Sequence, residues 1–489
     1  MTSAALLAAS VLNTPAMAGE EPVFSSGVQK TPYDDSFWGA DPDYADKPYS
    51  AEAQLKIYGD KRAIQTPRPL LELGRDIYGS GPFSESSYAF GSLNPIDQQL
   101  LVYGDWQTAI AYNDNGAIRQ GVVTTQLRLD IDYKITSTER LHAFINPLKR
   151  GNNITRCTFA DSHNNVNDEK PGGCDLELDF DLDAFYFEGD FGAIASGLSD
   201  EYSGVDLPFA VGFMPLLFQN GVWLDDAFHG LAFTVPAINS RVFDISNMDI
   251  TFFAGWDKTS TALDDAGEHA NIYGITTFIE ANRGYWEAGY GYTDLDDQDY
   301  HNVTVSFTKR YGGWLANSVR IIHNFGQDRK TGFRQTADGT LLLIENSFVT
   351  SLPSTLVPYF NAFAGFDRPQ SLARAAAAGG VLKNTGINFE TDNQTGFPKL
   401  DDTANDTWGF ALGVEYLFAL DQQIVVEVAT VQVRGDASNR NAQGDQYAFG
   451  VRYQKTLDKA WIFRTDAMVG ELRNVDDISG IRAEIRRKF

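Results

Sequence analysis

The sequence has few of the features that define a soluble enzyme or a helical membrane protein. It contains two cysteines and six histidines in 489 residues, and it carries no HExxH, GxSxG or glycine-rich phosphate-loop pattern. No apolar run approaches the roughly 18 residues that a membrane-spanning helix needs. If this chain spans a bilayer it must do so as a closed β-barrel, because only helices and barrels satisfy their backbone hydrogen bonds in lipid.

Positive charge is also scarce. The chain has 39 Lys and Arg residues against 65 Asp and Glu residues, for a net charge of −26. Recognition of phosphates needs a basic surface, so the charge balance excludes nucleic acid as a partner. The acidic run at 294–299 lacks the glycine and the terminal glutamate of an EF-hand loop. The sequence therefore predicts no metal, no cofactor and no enzymatic activity.

The first residues have the pattern of an export signal. Positions 4–12 are apolar, and Ala16, Met17 and Ala18 form an A-x-A cleavage site, although a charged n-region is missing. We predict that residues 1–18 are a signal peptide and that residues 98–489 form the membrane domain. The Pro- and Asp-rich stretch 19–97 is either a periplasmic extension, a segment that threads the lumen or a disordered tail.

From about residue 98 onward, apolar and polar residues alternate with a period of two. In the clearest segment, 408–418, aromatic and aliphatic residues share one face and small or polar residues share the other. A β-strand turns successive side chains to opposite faces. Apolar-out, polar-in strands of about ten residues are typical of transmembrane barrels. The apolar face of this segment consists of Trp408, Phe410, Leu412, Val414, Tyr416 and Phe418.

The connections support the same fold. Short links such as 137–139, 282–284 and 457–459 largely alternate with the long links 149–173, 257–269, 325–339 and 366–404. Barrels of this kind have short periplasmic turns and long extracellular loops. We therefore predict an all-β, antiparallel, up-and-down transmembrane barrel of about eighteen strands. The assignment is open within 189–237, where 207–217 is either a strand or a loop folded into the pore.

The C-terminal strand, 478–489, is amphipathic and ends on Phe489. A terminal aromatic on such a strand resembles the signal that the outer-membrane assembly machinery recognises, so Phe489 is a predicted assembly signal. Aromatic residues near the short turns, such as Trp314 and Trp461, fit an interfacial girdle. These features predict an outer-membrane location in a Gram-negative bacterium, in contact with lipid and lipopolysaccharide.

Charges on the predicted inner face are unevenly distributed. An acidic wall is expected on a strand 175–187, and a basic wall on the last three strands, several strands away. Such walls orient polar solutes and set ion preference, or they only neutralise neighbouring charges in a polar interior. The acidic wall comprises Asp175, Glu177, Asp179, Asp181 and Asp183, and the basic wall Arg452, Arg464, Arg482, Arg486 and Lys488.

Cys157 and Cys174 are the two cysteines. In an exported protein, a pair at this spacing predicts one disulfide, which stabilises the fold by about 3 kcal/mol.

Taken together, residues 98–489 resemble a porin-type barrel, and the strand count, charged walls and long loops are also similar to the alginate-export family. Members of that family often carry Gly-Arg-Gln where this chain has Gly212, Phe213 and Met214. The resemblance implies a channel for small hydrophilic or charged solutes. The alternative is an export barrel for an exopolysaccharide, or a sheath around a periplasmic partner. The oligomeric state is not indicated by the sequence.

Overall fold

The computed structural model describes residues 67–489 apart from positions 75–80, 85, 117, 152, 160–172, 264–268, 296–297, 328–334, 353–354, 384, 386–393 and 419–420. The predicted signal peptide and residues 19–66 of the N-terminal extension lie outside the described residues. No helix in the described part of the chain is long and apolar enough to cross a membrane.

Eighteen antiparallel strands form one closed barrel, as the alternation predicts. Each strand pairs with its neighbours in sequence, so the topology is up-and-down. The strands are β1 (Gln99–Asp114), β2 (Arg119–Lys134), β3 (Arg140–Ile145), β4 (Leu182–Asp190), β5 (Pro208–Phe218), β6 (Leu224–Ser240), β7 (Ile245–Asp257), β8 (Asn271–Ala281), β9 (Gly284–Asp294), β10 (Tyr300–Tyr311), β11 (Leu315–Phe325), β12 (Thr340–Phe348), β13 (Leu356–Phe366), β14 (Thr407–Phe418), β15 (Gln422–Val433), β16 (Gln446–Thr456), β17 (Trp461–Leu472) and β18 (Ile478–Lys488).

The first and last strands close the barrel. They pair over ten positions, from Asp105 opposite Lys488 to Asp114 opposite Ser479. Phe489 extends the ladder by one residue: its N–H donates to the Gly104 carbonyl at 3.0 Å, and the Gly104 N–H donates back at 2.8 Å. Closure removes the sheet edges, which lipid does not tolerate. Recognition of Phe489 by the assembly machinery remains a prediction.

The two faces of the wall differ as the alternation requires. On β1, Trp106, Ile110 and Tyr112 are exposed on the outer face, while Gln107 and Asn113 are buried on the inner face. On β14, the predicted outer residues Trp408, Phe410, Leu412, Val414 and Tyr416 are all exposed. The outer surface is thus apolar and the lumen is polar, as in a membrane barrel.

The region 189–237, which the sequence left open, contains two strands and a helix. Residues 207–217 are not a pore loop, because positions 208–218 form β5 in the wall. Between β4 and β5 lies α1 (Phe191–Ser199), whose first turn is capped by Asp190, which accepts from the Ala193 N–H at 2.7 Å. Its C-cap, Asp200, accepts two hydrogen bonds from Ser92, and these hold the pKa of Asp200 below its ordinary value.

The described part of the N-terminal extension lies along the ends of the strands that carry the short turns. Leu71–Leu73 pairs with Val102–Leu100 of β1, below the point where β18 begins to pair. Asn94 donates to the Glu139 carboxylate at 2.7 Å in the turn between β2 and β3. A periplasmic location of the N-terminal extension stays a prediction.

The two cysteines join a pair of short strands that extend the barrel sheet beside β2. Arg156–Thr158 pairs with Val122–Thr124 of β2 on one side and with Gly173–Asp175 on the other. Cys157 and Cys174 face each other in this register and are linked by a disulfide bond.

The longest connection, residues 367–406 between β13 and β14, folds back into the barrel; we call it the inward loop. Its first part docks on the turn between β5 and β6: the Leu372 N–H donates to the Trp223 carbonyl at 2.8 Å, and Ala373–Arg374 pairs in parallel with Leu224–Asp225. After this extended pairing, Ala376–Ala378 forms one 3₁₀ turn.

Further contacts tie the inward loop to strands around the barrel. Asn302 of β10 donates to the Gln370 carbonyl at 2.9 Å, and Asn113 of β1 donates to the Thr395 carbonyl at 2.8 Å. The Asp401 N–H donates to Gln446 of β16 at 2.8 Å. Leu372, Leu382, Phe397 and Leu400 of the loop belong to the buried apolar cluster. The loop therefore crosses the lumen and narrows it.

Trp223 is the largest fully buried side chain in this cluster, and its Nε1 donates to Asn302 Oδ1 at 2.8 Å. We expect Trp223→Ala to lower the free energy of unfolding by about 3–5 kcal/mol, because a large cavity opens under the inward loop. Thermal unfolding of the purified barrel measures this loss. Trp223→Phe, which keeps most of the volume and loses the N–H, should cost clearly less; an equal cost for both variants would contradict the packing role.

Candidate functional site in the barrel lumen

Asp466 is the centre of a charged network on the inner wall. The antiparallel register places it opposite Arg452 of β16 and opposite Arg482 of β18. Arg452 Nε lies 2.6 Å from one carboxylate oxygen, and Arg464 Nε and Arg482 Nη1 lie 2.9 and 3.2 Å from the other. The side chains of Asp466 and Arg482 are completely buried. A buried carboxylate is tolerated only when it is paired in this way.

The network continues around the wall to β1 and β2. The Glu484 carboxylate contacts the guanidinium groups of both Arg482 and Arg486, and Arg486 Nη2 lies 3.1 Å from Glu484 Oε1. Arg486 also lies 3.4 Å from Asp105 of β1, and Arg128 of β2 lies 3.8 Å from the same carboxylate. We call this the arginine cluster: Arg128, Arg452, Arg464, Arg482 and Arg486 with Asp105, Asp466 and Glu484.

The arginine cluster holds five guanidinium groups and three carboxylates, so it carries two positive charges in excess. Four of the five residues of the predicted basic wall belong to it. The fifth, Lys488, lies opposite Asp105 at the end of β18 and is exposed. Sequence analysis missed Arg128 and Asp105 as members, because their proximity depends on the β1–β18 closure.

The acidic residues predicted as a wall do not lie on one barrel strand. β4 begins at Leu182, so only Asp183 belongs to it. Asp175 is in the short strand beside the disulfide. Glu177, Asp179 and Asp181 lie in irregular chain, where Glu177 and Asp179 are half-buried and Asp181 is exposed. The prediction of a continuous strand over 175–187 was therefore wrong for residues 176–181.

The physical reason is the lack of a ladder partner. β3 ends at Ile145, and Pro147, which has no backbone N–H, follows two positions later. The Asp181 N–H instead bonds the Asp179 side chain at 2.9 Å, a local turn that competes with strand pairing. Alternation alone does not reveal whether a neighbouring strand is long enough to pair.

The lumen carboxylates are found on β2 and β4 instead. Asp132 lies 3.3 Å from Arg140, and Glu188 lies 3.0 Å from His142 Nε2. His142 stacks on Tyr186 with 4.9 Å between ring centroids. Asp130 faces the lumen two residues before Asp132, and we call these three carboxylates the acidic patch. The alternation of 123–133 placed Asp130 and Asp132 on the polar face, so this signal was available in the sequence.

A cavity of about 830 Å³ lies against the acidic patch. It is lined by Asp130, His142 and Tyr186 from the wall, by Asp183 from β4, and by the 3₁₀ turn Ala376–Ala378 with Ala375 before it. Arg128 and Asp130 point to the same face of β2, so the arginine cluster and the acidic patch adjoin each other. The basic residues of β16–β18 and Asp183 of β4 are several strands apart, but Arg128, Asp130 and Asp132 bring the two signs of charge together along β2.

No protein-family model matches the sequence. No curated protein matches it either. Among solved structures, the chain is similar to Pseudomonas aeruginosa OpdK crystallised with vanillate, with a TM-score of 0.50 and 10% identity over 80% of this chain and 98% of that one. It is also similar to Pseudomonas aeruginosa OpdO, with a TM-score of 0.50 and 11% identity over 80% and 97%. At this identity the likeness shows the fold alone, and it confirms the resemblance to a porin-type barrel.

Proposed function

We propose that this protein is an outer-membrane channel through which small hydrophilic or charged solutes diffuse. The observation that carries the proposal is the charged lumen of a closed barrel, which holds paired arginines and carboxylates and a cavity of about 830 Å³ lined by Asp130, Asp183 and Asp226. That volume is in the range of sites for small molecules, roughly 300–1,000 Å³. An apolar exterior and a polar interior are what a diffusion channel in a Gram-negative outer membrane requires.

The inward loop supports small solutes over polymers. It contacts β1, β6, β10 and β16, so it crosses the lumen and does not stand above it as an open collar. A polysaccharide chain needs a continuous wide path, and a sheath needs room for a folded partner. The export alternative is therefore not favoured.

The excess of two positive charges in the arginine cluster supports a preference for anions on that side of the lumen. Guanidinium groups bind carboxylates with paired hydrogen bonds, and they keep their charge at any physiological pH. The similar channel OpdK was crystallised with vanillate, which is an aromatic carboxylate. Vanillate is accordingly a suitable first probe for this lumen.

Arg486 and Arg487 provide a matched test of this preference. Arg486 belongs to the arginine cluster, whereas Arg487 is on the outer face, with its guanidinium 5.6 Å from the Trp461 ring centre. We expect Arg486→Gln to lower the anion-to-cation permeability ratio, by roughly a factor of two, because a charge lining a narrow pore sets ion preference. Reversal potentials across a KCl gradient in planar bilayers measure the ratio. Arg487→Gln should leave it unchanged, and equal shifts in both variants would argue against a cluster-based selectivity.

The inward loop gives a second prediction, for pH. Burial raises the pKa of Asp401 to about 6. Folding therefore favours the protonated form, so loop docking is most stable below the ordinary pKa of about 4 and weakens as pH rises through about 6. We expect more frequent current fluctuations at neutral than at acidic pH in single-channel recordings.

Asp401→Asn should abolish this dependence between about pH 4 and pH 6, because it keeps the side chain neutral throughout. Asp458→Asn, in the turn between β16 and β17, is the control and should keep it. If the current through Asp401→Asn fluctuates with the same pH dependence as the current through the unmodified protein, Asp401 is not the group responsible.

A further inference from the structure

The barrel wall is incomplete on one side. β5 pairs with β4 only from Pro208 to Phe213, although β5 continues to Phe218. Its other side remains paired with β6 through Phe218. Within the described residues, the last five positions of β5 thus present a backbone edge toward β4. At the strand rise of about 3.4 Å, this edge is roughly 17 Å long.

Two residues of β5 are consistent with the separation of its last five positions from β4. Gly212 has φ +131°, and a Cβ there would lie 2.6 Å from the Phe185 carbonyl oxygen, so β5 bends at its last contacts with β4. Pro215 lies in the middle of the free edge and has no N–H to donate. Proline inside a sheet is confined to positions where one side is unpaired. The sequence of β5 is therefore that of a strand which leaves its neighbour.

The facing edge belongs to β4 and the chain before it. Residues 176–181 run beside the chain that follows β3. The Asp179 N–H donates to the Pro147 carbonyl at 3.1 Å, and the Glu177 N–H donates to Thr155 at 3.0 Å. β3, the partner of β4, ends at Ile145. The described hydrogen bonds of 176–181 thus point away from β5. We call the space between 176–184 and 214–218 the lateral opening.

The lumen cavity extends into the lateral opening. Its lining includes Asp183 and Ala184 from one edge and Phe213 and Pro215 from the other. The same cavity reaches Tyr103 and His142 on the inner wall. It is therefore a single space that leads from the charged lumen to the gap in the wall.

The lateral opening lies at the level of lipid. Leu176 and Phe180 beside one edge are 68% and 71% exposed, and Leu217 at the other edge is 61% exposed. Large apolar residues exposed on both flanks mark surface that contacts hydrocarbon. Because this half of the strands carries the long loops, the opening faces the outer leaflet.

We propose that the lateral opening is a site for amphiphiles, which place a polar head in the lumen cavity and an apolar tail in the outer leaflet. The head region is lined by the carboxylates of Asp130, Asp183 and Asp226, by the stacked rings of His142 and Tyr186, and by Lys149 and Lys258. Carboxylates with aromatic faces favour a cationic head such as a quaternary ammonium. Binding at this site would be additional to the diffusion of hydrophilic solutes along the barrel axis.

Access of lipid tails is tested by fluorescence quenching. The two native cysteines are bonded to each other, so a single introduced cysteine can carry a bimane label on the full chain in phosphatidylcholine vesicles with brominated acyl chains. Asp183→Cys reports on the opening, Leu217→Cys on the lipid-facing surface, and Ser318→Cys on the inner wall of β11. We expect loss of fluorescence at positions 183 and 217 and none at 318; quenching at 217 alone would overturn the proposal.

Occupancy is tested by channel block. Decyltrimethylammonium, added to the aqueous phase, should interrupt the single-channel current, whereas tetramethylammonium, which has the head without the tail, should not. Asp183→Asn should weaken the block, and Pro215→Trp, which fills the edge, should remove it. Equal block by both compounds would overturn the proposal. Absence of current steps before any addition would instead refute the channel function, so the two failures are distinguishable.

Discussion

The whole structure depends on one constraint: within a bilayer, each backbone N–H and C=O must find a partner in the protein. Pairing of β1 with β18, extended by Phe489 and Gly104, closes the sheet and meets this constraint where the first and last strands join. Closure also brings Asp105 and Arg128 beside Glu484 and Arg486, which are far apart in sequence. The chemistry of the lumen is thus a consequence of how the wall is closed.

The lumen has an apolar part that is filled by packing and a charged part that borders a cavity. The inward loop fills the interior with apolar contacts around Trp223 and Leu372 and leaves a cavity beside β2, β3 and β4. The arginine cluster and the acidic patch meet along β2, and Asp130 of the acidic patch lines that cavity. A solute in this space experiences a field across the pore, which orients polar molecules as they pass. The same side of the barrel carries the short strands, so the polar path and the weakest part of the wall coincide.

Much of the barrel could be predicted from the sequence, because side-chain alternation is a local property. The outer residues of β14 and the polar face of β2 lie where the period of two placed them. The acidic stretch 176–181 alternates equally well, yet it forms no strand, because β3 ends at Ile145. Strand length is set by the partner, and the inward loop is held by contacts such as Asn302 with Gln370, 68 residues apart. Local sequence patterns therefore reveal neither the length of a strand nor the long-range contacts of the inward loop.

Single-channel current through the purified full chain in planar bilayers, recorded at high and low salt, tests the central claim most directly. The account predicts discrete current steps whose ion selectivity is weak at 1 M KCl and stronger at 0.1 M. The screening length grows from about 3 Å to about 10 Å between these concentrations, so the fixed charges of the lumen act over more of the pore. A membrane that shows no steps, or steps whose selectivity is the same at both concentrations, would contradict a channel governed by its charged lumen.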